Sequence, residues 1–152
     1  TCCTLVSNII GEGHQDKVMS LVKRILKLSF GIVCSIVIIF CIFPEAVARI
    51  YTDIPDLITA SVPALIVMCS SYFFQIPGMI FFQAVSGTGS TKTAFRLELV
   101  ALIIYMVYCT VVISIMKADI AICWTAEHVY AGSIMLISYF YLKSGRWRDR
   151  RI

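Results

Sequence analysis

Two groups of polar side chains interrupt otherwise apolar stretches, and their types and spacing suit the lining of a cavity or a ligand site. Glu127 is the one acid within the apolar run 120–142. Ionisable groups at membrane depth are costly and mark ion or substrate paths. At about 100° per residue Glu127, Tyr130, Ile134, Ser138 and Tyr141 share one helical arc. A carboxylate would there sit beside phenol rings that can hold a cation by cation–π contact worth ~0.5–2 kcal/mol. Tyr72, Gln75, Met79, Gln83 and Ser86 share an arc of about 80° on another helix. Amides and phenols on that face bind a solute or bridge helices, the latter at an average of ~0.6 kcal/mol per hydrogen bond in membranes. Pro77-Gly78 falls inside the same stretch. Its missing N–H kinks the helix and makes it a candidate conformational hinge.

Other residues invite chemistry and are set aside. His128 points about 100° away from Glu127 and reads as a packed or interfacial histidine. Glu98, near a basic helix end, is expected to pair with Lys92 or Arg96; Glu127 itself has the alternative of reaching outer water or Lys117. An intramembrane enzyme built on Glu127 and His128 would need a second catalytic group at matching depth, and none is evident, so no catalytic residue is assigned. Gly87-Thr-Gly-Ser-Thr-Lys92-Thr93 lacks the glycine directly before lysine that a phosphate loop requires. Most of the seven cysteines lie in apolar runs and none forms a ligand-type pair, so they read as small apolar side chains with neither a disulfide framework nor a metal site.

These residues need helices to position them, and composition says what surrounds those helices. Of 152 residues 59% are hydrophobic and 14% charged, against roughly 45–50% and about 25% in soluble domains. No charge interrupts residues 28–44, 57–91 or 99–116, and 120–142 holds only Glu127 and His128. Runs of this length suit bilayer-spanning helices, which need about 17–25 residues. The expected fold is therefore all-α and integral to the membrane, as a single membrane domain. Four spans lie at about 25–43, 57–85, 91–116 and 120–142, after the tail of a preceding helix at 1–10. From Asp16 the positions Val18, Leu21, Val22, Ile25 and Leu28 repeat at helical spacing opposite four cations, so an amphipathic approach leads into the first span. Pro44 ends that span, and a short interfacial helix covers Glu45 to Tyr51. Pro55 and Asp56 start the next helix, and Ser90 is a candidate cap for the one after.

Charge orients the bundle. Eleven of the thirteen cations fall in the first, third and last polar segments, and positive charge stays on the cytoplasmic side. Both ends are thus expected to be cytoplasmic, in a multi-pass protein of the cell (inner) membrane with a basic tail at 143–152. Cations in such a tail anchor to anionic lipid, which sets nucleic acid aside as a partner. The absence of an initiator Met and the apolar opening at Thr1-Cys-Cys predict that further chain precedes residue 1.

In order and spacing these landmarks resemble the C-terminal half of the multidrug and toxic compound extrusion family of twelve-helix antiporters. Leu5-Val-Ser-Asn-Ile-Ile-Gly11-Glu-Gly13 is similar to the end of that family's eighth helix, and Phe43-Pro-Glu45 with Tyr51-Thr-Asp53 to the outer loop before its tenth. Gln83-Ala-Val-Ser-Gly87-Thr-Gly89-Ser90 resembles an inner turn usually written Arg-Gly-x-Gly-Asp, with Ser86 and Ser90 in place of the Arg and Asp. Trp124-Thr-Ala-Glu127 and Ser144-Gly-Arg-Trp147 resemble the twelfth helix and its basic exit. The resemblance implies part of one lobe of a proton- or sodium-coupled exporter of organic cations or drugs working by alternating access. H+ or Na+ would be its coupling ion, with no other cofactor. Its partners would be the rest of the transporter chain, membrane lipids and small amphipathic or cationic substrates. The coupling carboxylate that some members carry on helix ten has no counterpart, because residues 57–91 hold no acid. A lipid-linked oligosaccharide flippase of the same superfamily and a non-transporting structural membrane subunit remain as alternatives.

Overall fold

Gly13 takes the left-handed conformation, φ 79°, that ends the first helix, α1 (Cys2–Gly11). The His14 amide bonds Ile9 O and the Gly13 amide bonds Ile10 O, each at 3.0 Å, a pairing that satisfies the last carbonyls of the helix. The computed structural model describes residues 1–147. After a single 3-10 turn, Gln15–Lys17, follow α2 (Val18–Ile42), α3 (Pro44–Arg49), α4 (Pro55–Gly87), α5 (Thr91–Cys109), α6 (Ile120–Cys123) and α7 (Ala126–Lys143). Among the described residues there is no strand. Prolines stand at the first turns of α3 and α4, where the missing N–H would have had no helical partner.

Among the described residues four helical runs are long and apolar enough to cross a membrane: Gln15–Ile42, Pro55–Gly87, Thr91–Ile115 and Ile120–Lys143. The first is longer than the charge-free run because the amphipathic approach is part of the same helix. Two spans are less regular than their sequences indicate. The third passes from α5 into a π-helical stretch, Thr110–Ile115, and ends at Lys117 with φ 47°. The fourth is not one helix over 120–142. It breaks after α6 at Trp124–Thr125, where the Glu127 and His128 amides bond carbonyls only three residues back, Trp124 O at 3.2 Å and Thr125 O at 3.0 Å.

The long α4 touches every other helix, and α7 packs against both α4 and α5. Small residues allow the closest approaches, as is usual where helices pack without a hydrophobic driving force. A Cβ on Gly78 would lie 3.0 Å from Ala131 O and 3.0 Å from Ile134 Cγ2. The main core gathers Val6, Ile10, Val18, Val22, Ile80, Ala84, Val85, Leu142 and Trp147, where α1 ends, α2 begins and α4 and α7 finish. Trp147, expected in a basic exit, instead folds back so that Nε1 donates to Leu142 O at 3.0 Å. The rest of the tail, 148–152, lies outside the described residues.

Ser90 corrects another expectation. Its hydroxyl makes no cap bond to α5; it accepts the Tyr141 hydroxyl at 3.1 Å. With φ −87° and ψ 47°, Ser90 lies outside the extended conformation from which a serine side chain turns back on a helix. Buried to 1% exposure, it ties the end of α7 to the turn between α4 and α5.

Candidate functional site

The structure places the two polar groups on different seams. On α4 the side turned to α7 carries Ser70, Phe74, Gly78 and Phe81: Ser70 and Phe74 meet His128, Gly78 meets Ala131 and Ile134, and Phe81 stacks with Tyr139 at 5.4 Å. Tyr72, Gln75, Met79, Gln83 and Ser86 lie about 140° around the helix from that contact. Tyr72, Gln75 and Gln83 are half-buried, and none makes a side-chain hydrogen bond among the described residues. Among the described residues these side chains thus form no helix-bridging hydrogen bond. Polar groups left facing hydrocarbon without partners cost free energy.

Glu127 and Tyr130 lie on the seam between α7 and α5. Glu127 falls in the first turn of α7, not in the second turn of an unbroken helix, and the positive end of the helix dipole favours a carboxylate there. Its side chain is half-buried. The Tyr130 ring meets Tyr105 edge-on, centroids 5.8 Å apart, and Tyr108 Oη lies 2.8 Å from Thr125 Oγ1. Glu127 lies within electrostatic reach of both Tyr105 and Tyr130, and Glu98 within reach of Tyr130. The expected partners of these acids are absent. Among the described residues neither Glu98 nor Glu127 is in an ion pair, with Lys92, Arg96, Lys117 or any other cation. The seam thus brings Glu127, in no ion pair among the described residues, to the end of α7 where the Tyr130 and Tyr105 rings meet. The rest of the Glu127 stripe is packing surface: Ile134 and Ser138 are 3% and 0% exposed, and Ile134 fills the space left by Gly78. Pro77 and Gly78 are buried in α4, where that helix crosses α7.

His128 has a polar partner that its sequence did not disclose. Nε2 lies 2.8 Å from Ser70 Oγ. Ser70 Oγ also lies 2.7 Å from Val67 O, to which it donates. Nδ1 is buried without a partner. The separation of 58 positions between Ser70 and His128 leaves no local signal for this bond. Among the described residues no cluster of His, Cys, Asp and Glu could hold a metal.

Helices of bilayer length around a central α4, with polar faces inside their spans, define a polytopic helical membrane protein. A model of the MatE family matches residues 2–111, and the chain belongs to that family. Its members are transporters rather than enzymes. No curated protein and no solved structure matched the chain.

Proposed function

We propose that the chain contributes part of one lobe of an exporter that moves organic cations or other amphipathic compounds by alternating access in exchange for H+ or Na+. What most supports this reading is the α4 face: Tyr72, Gln75 and Gln83 lie along one side of a membrane-spanning helix, half-buried and without hydrogen bonds among the described residues. Transporters of this general design bind solute at the interface between two halves, and such a face suits the wall of that interface. The Glu127–Tyr130 seam is the second element, a place for a cation or coupling ion. Pro77 and Gly78 join them mechanically, since α4 pivots on α7 where Gly78 lets the helices touch.

The test is efflux of a fluorescent lipophilic cation by cells producing the full-length transporter, at matched expression. Gln75→Leu with Gln83→Leu is expected to reduce efflux about tenfold, the equivalent of ~1.4 kcal/mol, and Pro77→Ala to slow it while leaving expression unchanged. Undiminished efflux in the Gln75→Leu/Gln83→Leu protein would remove α4 from the substrate path. Accumulation of lipid-linked sugar in cells lacking the protein, with no efflux defect, would move the assignment to a flippase.

Orientation is tested separately. In a background free of native cysteines, an impermeant thiol reagent applied outside is expected to label cysteines placed at Asp53 and Asp119, and not those at Gln15 and Ser144. The opposite pattern would invert the proposed topology.

A further inference from the structure

The connection from α1 to α2 holds a cavity that the transport reading does not use. It measures about 210 Å³ and is lined by Ile9, Lys17, Ser20, Leu21 and Arg24. Lys17 and Arg24 are seven residues apart, two helical turns, and so project within about 20° of each other, with Ser20 and Leu21 between them. Both cations are exposed. Among the described residues neither is in an ion pair; Glu12 is engaged with His14 at 4.0 Å, and Asp16 with no cation. Two cations and a hydroxyl thus line one cavity with an apolar floor, and among the described residues no carboxylate is within ion-pair distance of either cation.

The surface that continues from this cavity is apolar and runs along the span. Leu28 and Ile32 lie within about 20° of Leu21 around α2, and they are 68% and 57% exposed. Leu21 to Ile32 covers about 16 Å of helix, about half of a ~30 Å hydrocarbon core. Charge at the membrane surface followed by one leaflet's depth of bare apolar helix matches a ligand with an anionic head and a fatty tail.

We propose that Lys17, Ser20 and Arg24 form a binding site for the phosphodiester of an anionic phospholipid, whose acyl chain lies along Leu21, Leu28 and Ile32. The inference requires only that the chain spans a membrane, and it is independent of what the protein exports. Basic pockets between membrane helices favour such headgroups. Lys17 and Arg24 supply charge-assisted hydrogen bonds, the guanidinium in bidentate fashion, and Ser20 Oγ donates a further one.

Native mass spectrometry of the purified full-length protein in detergent tests this with phosphatidylglycerol, phosphatidylcholine and inorganic phosphate as separate probes. Phosphatidylglycerol is expected to bind in preference to phosphatidylcholine and to weaken about thirtyfold in Lys17→Gln/Arg24→Gln. Two variants should retain it: Lys17→Arg/Arg24→Lys, which keeps the charge, and Lys143→Gln/Arg146→Gln, which removes the same charge elsewhere. In Leu28→Trp protein, phosphatidylglycerol with brominated tails should quench the new indole, and should cease to do so when Lys17→Gln/Arg24→Gln is added. Unchanged phosphatidylglycerol affinity in Lys17→Gln/Arg24→Gln would overturn the site. Equal binding of phosphatidylcholine would reduce it to an apolar lipid contact, and equally tight binding of inorganic phosphate without quenching would make it an anion site with no lipid.

Discussion

Gly87→Ala is expected to destabilise the protein by about 2–3 kcal/mol, although it adds one methyl group to the end of a helix. A Cβ at Gly87 would lie 2.6 Å from Cys3 O and 2.9 Å from Val6 Cβ. The first of these is backbone and cannot rotate away, so α1 must move off α4. That movement loosens Val6, which is fully buried in the main core, and breaks the bond from Ser7 Oγ to Gly87 O, 2.9 Å. Overpacking of this kind costs about 1–3 kcal/mol, and an interhelical hydrogen bond in a membrane averages ~0.6 kcal/mol. Gly31→Ala and Gly132→Ala are the controls, since a Cβ at either meets nothing within 4 Å. Relief of backbone entropy at those helical positions favours the alanine by roughly 0.5–1 kcal/mol. Thermal unfolding in detergent distinguishes the cases. A Gly87→Ala protein as stable as Gly31→Ala would mean that α1 does not rest on α4 at this point.

Some of this packing could be read before any fold was known, and the dividing line is physical. The four spans are legible because hydrocarbon admits few charges and leaves backbone groups no partner but their own helix; the runs with few or no charges overlap the four apolar helices. Pro55 marks a helix start for a reason confined to one residue, whereas Pro44, read as the end of a span, also opens α3. The break at Trp124–Thr125 gave no such sign, having neither glycine nor proline, and an apolar run looks the same whether it coils as α or, over Thr110–Ile115, as π. Helical arithmetic groups Tyr72, Gln75 and Gln83 on one face and Glu127 and Tyr130 on another. It does not say which neighbour each face meets, and that is why their separation onto different seams had to come from the structure. Ser90 illustrates the same limit: its type and position suit a cap, but its burial against Tyr141 is a tertiary fact.

That separation makes Glu127 testable apart from the α4 face. Glu127→Gln keeps the size of the side chain and its capacity to accept hydrogen bonds but removes the charge, at a position where the carboxylate has no cationic partner among the described residues. If Glu127 engages the transported cation or exchanges a proton for it, neutralisation leaves only the Tyr105 and Tyr130 rings, whose cation–π attraction is worth ~0.5–2 kcal/mol, with Glu98 beyond them. Drug efflux is then expected to fall about tenfold at equal expression, ~1.4 kcal/mol, and its dependence on external pH to flatten. Glu127→Asp should recover part of both, because the charge returns on a shorter arm. Tyr130→Phe keeps the ring beside Tyr105 and should leave the pH dependence intact. His128→Gln, which retains a donor for Ser70 Oγ, should also leave it intact, because the histidine faces α4 and not the acidic seam. A Glu127→Gln protein with wild-type efflux and a wild-type pH profile would show that the seam only holds α5 to α7. Loss in Glu127→Gln alongside normal efflux in Gln75→Leu/Gln83→Leu would instead put the cation between α5 and α7 and leave the α4 face to contacts with the rest of the transporter.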